Sequence, residues 1–192
     1  MIPVVTPVEM SAIDAAAPEP EEVLIERAGS AVARCALDLL GGAYGRSVVV
    51  IAGKGNNGND GRVAARRLSQ RGVAVQLIGP GDPLPDRPRR RPDLVIDAAF
   101  GTGFADRAHW HPTEVGDVPV LAVDIPSGVN GLTGEAVAGV PACHTTVTFA
   151  ALKPGLLLEP GRSLSGRVEV VDIGLDCSSA RAWWVGAGDA AS

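Results

Sequence analysis

The sequence predicts an α/β fold with a mostly parallel sheet, preceded by two helices. Three observations predict it. Val48 to Ala52 is an unbroken run of β-formers, followed by a glycine-rich turn and a helical pattern from Arg62 to Gln70. Strand, turn and helix in that order open a parallel unit. Five further short apolar runs follow, spaced as strands. Helical periodicity also precedes the first strand, which a minimal strand–helix–strand unit does not need.

Thr6-Pro7-Val8-Glu9 is a capping box with proline at the first helical position, so a short helix runs to about Ala16. A second starts near Glu21, whose acidic first turn suits the helix dipole. Leu24, Ala28, Val32, Cys35 and Leu39 form its apolar stripe, and Gly41-Gly42 ends it. These two helices occupy about residues 6–40, and the core about 46–175, with a short C-terminal tail. After the central strand and helix come strands at Val73–Ile78, Asp93–Asp97, Val118–Asp124, His144–Ala150 and Arg167–Ile173. Residues 79–92 hold seven prolines or glycines and read as an irregular crossover. Residues 105–117 are polar and offer at most a turn or two of helix.

The 192 residues make one domain, 1–192, large enough for a single core. A net charge of −5 argues against a nucleic-acid surface, and the basic cluster Arg87–Arg91 is broken by proline like a solvated loop. Cys35, Cys143 and Cys177 lack metal spacing and suit reduced, buried thiols in a cytoplasmic protein. The N-terminus lacks the basic region of a signal peptide, and no apolar run reaches membrane-spanning length.

The chemistry concentrates after the strands. In a parallel sheet all strands point the same way, so residues following them share one edge, where ligands bind. Gly53, Gly55 and Gly58 satisfy G-x-G-x-x-G, with Asn56, Asn57 and Asp60 inside the loop. Such a loop aims backbone N–H groups at an anion. Asp97, the Gly101 loop, Asp124, Ser127 and Lys153 also follow strands. Taken singly, Asp97 and Asp124 read equally as helix N-caps, Ser127 as a turn cap and Lys153 as a solvated loop lysine. Their recurrence after successive strands points to one cleft.

Several chemistries fail. No Lys-Ser/Thr follows Gly58, so a Walker loop is out. The second strand ends Leu77-Ile78-Gly79-Pro80, without the ribose-binding acid of a dinucleotide dehydrogenase. His109, His111 and His144 make no zinc pattern. Ligation of a hard cation by oxygen, phosphate cradling and carboxylate acid–base work remain.

Five ordered motifs resemble a known family: GKGNNGNDG at 53–61, DAAFGTGF at 97–104, VDIPSG at 123–128, TFAALKPG at 148–155 and VDIGL at 171–175. Together with Ile13-Asp14 and Leu24 to Gly29, they are similar to the NAD(P)H-hydrate epimerase domain over about residues 6–175. The resemblance implies a three-layer α/β/α Rossmann-like sandwich. It implies an isomerase of nicotinamide nucleotide repair, interconverting the R and S epimers of hydrated NADH and NADPH at ring carbon C6. A dehydratase, sometimes fused downstream, then acts on the S epimer.

By position, the resemblance implies that Asn56, Asn57, Gly58, Asn59 and Asp60 hold the substrate. Gly101, Thr102, Gly103, Phe104, Ala105, Asp106 and Arg107 would line it. Asp124 would contact it at the reacting carbon as the catalytic acid–base group. Asn57, Asp97 and Ser127 would bind a potassium ion. The family loop reads NNGGDG, and Asn59 replaces its second glycine, a residue that tolerates positive φ. The alternative reading is a catalytically weakened nucleotide-binding or protein-interaction module of the same fold. Trp183-Trp184 either fold back onto their own domain or, with the helix-poor crossovers, point to a partner that covers apolar surface, a second copy in a homodimer or a dehydratase partner or domain.

Overall fold

The computed structural model describes residues 1–85, 91–103 and 111–186. The order is β1 (Ile2–Val4), α1 (Pro7–Ala15), α2 (Glu21–Leu40), β2 (Ser47–Ala52), α3 (Asn56–Gln70), β3 (Ala74–Ile78), β4 (Leu94–Ala98) and β5 (Val120–Val123), then β6 (Thr145–Phe149), a 3-10 turn (Pro154–Leu156), α4 (Gly161–Ser165), β7 (Arg167–Val171) and β8 (Ala182–Trp184).

Both N-terminal helices form, and Thr6 and Glu9 close the predicted capping box. Gly41 ends α2 in the left-handed conformation that glycine adopts without strain.

Six strands form one parallel sheet in the order β3-β2-β4-β5-β6-β7. The chain leaves β2 for β3 on one side and then crosses to β4 on the other. The switch point therefore lies between the carboxyl ends of β2 and β4, where a parallel sheet opens its ligand crevice. One face packs Val48, Val50, Ile96, Leu121 and Val147 against α2 and α3. On the other, Ile125, Val129 and Leu156 pack with Leu164 of α4 and Val168 and Val170 of β7. The result is a three-layer α/β/α, Rossmann-like sandwich.

The described residues of the two crossovers, 79–85 and 111–117, carry no helix. They still supply side chains: Leu84 and Val115 pack on Val49, Ile51 and Val95.

Two elements differ from the sequence reading. β1 and β8 pair antiparallel as a small ribbon, with Ile2 opposite Trp184 and Pro3 opposite Trp183. Three-residue strands carry too little periodicity to stand out. The tryptophans thus fold back onto their own chain, yet each stays 45% exposed.

The helix after β2 begins at Asn56, six residues before Arg62. Gly58 and Gly61, which read as loop glycines, are packing positions inside it. A Cβ on Gly58 would lie 2.0 Å from the Gly53 carbonyl oxygen, and one on Gly61 would lie 2.5 Å from Ala98 Cβ. Asn59 is therefore helical, donating its N–H to Gly55 O at 3.1 Å, and needs no tolerance of positive φ.

Candidate functional site

A cleft of about 1090 Å³ opens at the switch point. Gly53 to Asn57 and Asp60 form one wall, Ala99 to Gly103 a second, and Met10, Asp14 and Leu24 of the N-terminal helices a third. Asp124 and Lys153 also line it. Its volume is at the upper end of small-molecule sites and suits a ligand as large as a dinucleotide.

The first wall exists because backbones approach closely. Gly53 N donates to Ala98 O at 3.0 Å, and a Cβ on Gly53 would lie 1.9 Å from Ala99 O. Gly55 then caps α3, so the first turn of that helix, whose N–H groups have no intrahelical partner, belongs to this wall. Asn56 is exposed, and its Nδ2 donates to Glu21 of α2 at 2.6 Å. Both side-chain polar atoms of Asn57 are buried without a hydrogen-bond partner. Asp60 is buried beside the cleft. Burial, then the charges of Asp124 and Asp14, raises its pKa to about 8.

Asp124 directly follows β5 in the left-handed region, φ 68, a sparsely populated conformation for a non-glycine residue. Its backbone N–H is held by Val147 O at 2.7 Å. Its Oδ1 accepts from Lys153 Nζ at 2.5 Å and from Thr148 Oγ1 at 3.3 Å. Its Oδ2 lies against the Gly101 loop, accepting from Thr102 N at 3.3 Å. A Cβ on Gly101 would sit 3.1 Å from that Oδ2, so glycine lets the two strand-end loops close on each other.

Asp97 and Ser127 are joined directly. Ser127 Oγ donates to Asp97 Oδ1 at 2.6 Å, and Ser127 N to Oδ2 at 2.8 Å. Ala99 N adds a bond at 3.2 Å, and Ser127 Oγ accepts from Phe100 N at 2.9 Å. Burial raises the pKa of Asp97 and those bonds oppose it. This pair ties β4 to the loop after β5 and lines a small cavity of about 20 Å³, whereas Asn57 lines the large cleft.

Asn56, Asn57, Asp60, Gly101, Thr102, Gly103 and Asp124 therefore surround one cleft. Gly58 and Asn59 lie behind its wall within α3. Phe104, Ala105, Asp106 and Arg107 lie outside the described residues. Lys153 corrects the solvated reading: it is 1% exposed, because its ammonium finds partners at the carboxyl end of β6. Asp14 and Glu21 also line the cleft, a place that sequence reasoning does not assign them. Ile13-Asp14 belongs to the resembling stretch, which was the available signal, but charge on a helix face reads as solvated.

The family model described as "YjeF-related protein N-terminus" matches residues 21–90 and 81–155, well over half of the chain. An NAD(P)H-hydrate epimerase of Leuconostoc mesenteroides is 37% identical, over 91% of this chain and 92% of its own. A bifunctional NAD(P)H-hydrate repair enzyme of Moorella thermoacetica is 35% identical over 89% of this chain, which spans only 40% of that longer protein. The crystal structure of the yeast protein ynu0 superposes with a TM-score of 0.63 at 22% identity, covering 79% of this chain and 82% of that one, a likeness of fold. A glycine-walled cleft at the switch point, the family match and relatives aligned almost end to end agree: the chain belongs to the NAD(P)H-hydrate epimerase family.

Proposed function

We propose that this chain interconverts the R and S epimers of hydrated NADH and NADPH. The observation that carries the reading is Asp124, a carboxylate fixed at the switch point with one oxygen turned to the glycine loop of a dinucleotide-sized cleft. The epimerised carbon bears a hydroxyl and neighbours the ring nitrogen. Inverting it, by loss of hydroxyl or by ring opening, needs proton transfer and nearby negative charge, both available from Asp124. The N-terminus of α3 and the glycine wall suit the pyrophosphate. Proton NMR of hydrated NADPH tests substrate and reaction together. Protein-dependent equilibration of the two epimers is the expected result, and epimer ratios unchanged by the protein would refute it.

The residues also suit potassium. The paired Asp97 and Ser127 and the unpartnered Asn57 amide offer oxygen donors fit for a hard cation, not for zinc or copper. Bound there, the ion would neutralise the buried Asp97 and offer positive charge to an anionic ligand. Ser127 Oγ already serves Asp97 and Phe100, so Asn57 is the donor with most to gain.

The half-exposed Trp183 and Trp184 and the neighbouring Val185, 48% exposed, support a homodimer or a docked dehydratase partner. Three free, buried cysteines support a reducing, cytoplasmic setting. No helix among the described residues is long and apolar enough to cross a membrane.

A further inference from the structure

Lys153 is among the most deeply buried side chains of the molecule, at 1% exposure. Burying an ammonium is costly unless its partners satisfy it fully. Here all three protons are used: Asp124 Oδ1 at 2.5 Å, Thr148 Oγ1 at 2.8 Å and Phe149 O at 3.2 Å. None is left to give to a ligand, so Lys153 is not the proton donor of the cleft.

The backbone around it is clamped on both sides. Leu152 N donates to Pro3 O and Val5 N to Leu152 O, each at 2.9 Å, which ties the lysine to the N-terminal ribbon. Gly155 N donates to Gly131 O at 2.8 Å, and a Cβ on Gly155 would lie 2.2 Å from Asn130 O. That second clamp reaches the same loop that leaves Asp124. The lysine and the aspartate are thus fixed to each other by backbone as well as by charge.

We propose that Lys153 is a positioning residue for Asp124: its ammonium anchors Oδ1 beside Thr148, so that Oδ2 alone is presented to the substrate as the proton-accepting oxygen. The reaction in this statement rests on the epimerase reading, whereas the anchoring does not. Other ionisable groups of the cleft face this ion pair. Those are Asp14 from α1, Glu21 from α2 and Asp60 from α3, while the Cys177 thiol lies within reach of the Lys153 charge from the segment after β7.

The test compares Lys153→Met, Asp124→Asn and the double variant in potassium buffer. Lys153→Met should lower kcat by about 10²-fold with KM changed much less, because the group lost acts on the proton-transfer step. Its effect should vanish in the Asp124→Asn background, since a residue acting through another adds nothing once that other is gone. Independently of turnover, carbon-13 NMR of the aspartate carboxyls, with Asp124 assigned by its loss in Asp124→Asn, should show its resonance displaced in Lys153→Met, because the cation at its Oδ1 is gone. Should Lys153→Met not fold, Thr148→Val keeps the ion pair and the volume, and a smaller displacement of the same resonance is expected. Losses that multiply in the double variant, or an Asp124 resonance unmoved in whichever single variant folds, would overturn the proposal. Wild-type epimerisation is read in parallel. Its absence would defeat the epimerase reading, and the carboxyl resonance would still decide the role of Lys153.

Discussion

Gly58 packs so closely on Gly53 that a Cβ at position 58 would lie 2.0 Å from the Gly53 carbonyl oxygen. Backbone cannot yield as a flexible side-chain tip does. Gly58→Ala should therefore destabilise the fold by about 1–3 kcal/mol through overpacking and push α3 off the end of β2. Asn59→Gly, which restores the family's usual residue at a helical site, should cost well under about 1 kcal/mol and leave turnover near wild type. Denaturant melts and epimerisation rates of the two variants check both outcomes.

Asp124→Asn keeps the size and most hydrogen bonds of the side chain but removes its charge. Epimerisation should fall by about 10²-fold or more, the usual scale for a positioned acid–base group. Lys153 loses its counter-charge in this variant, so some stability should go too. Near-normal turnover in folded Asp124→Asn would move the chemistry elsewhere in the cleft.

Asp60 carries a pH signature. Its folded pKa of about 8 lies above the ordinary carboxylate value, first because of burial and then because of Asp124 and Asp14. Between about pH 4 and 8 the folded state holds a proton that the unfolded state has lost. Stability from this group is complete below that window and falls by up to about 1.4 kcal/mol per pH unit through it. Asp60→Asn resembles the neutral acid, so its melting temperature should gain on wild type as pH rises from 5 to 8. A difference independent of pH would mean that Asp60 is ionised throughout.

Potassium should stabilise the protein by mass action. The melting temperature should be higher in potassium chloride than in choline chloride at equal ionic strength, and Asn57→Ala should abolish the difference. Equal melting in both salts would remove the ion from the proposal.

For the exposed tryptophans, sedimentation velocity at micromolar concentration should show a dimer. The double variant Trp183→Ala, Trp184→Ala should be a monomer without loss of the parallel sheet, because the ribbon lies outside it. A monomeric wild-type protein would refute the homodimer.

The strands of the parallel sheet were legible from residues alone, because buried parallel strands are continuous apolar runs and their polar followers share one edge. Val48–Ala52, Asp97 and Asp124 were legible on that basis, as was the capped helix from Pro7. Glycine was ambiguous: it serves both turns and tight packing, so the start of α3 at Asn56 depended on what Gly58 and Gly61 touch. The ribbon of β1 and β8 joins the two ends of the chain, a pairing no local pattern encodes. Lys153 shows the divide most clearly. Its charge reads as solvent-facing until β6, the N-terminal strand and the Asn130 loop close around it. Partners at 2.5 and 2.8 Å, from residues 29 and 5 positions away, turn a loop lysine into a buried anchor. Tertiary structure alone decided that, because the cost of burying a charge is settled by the groups that meet it in space.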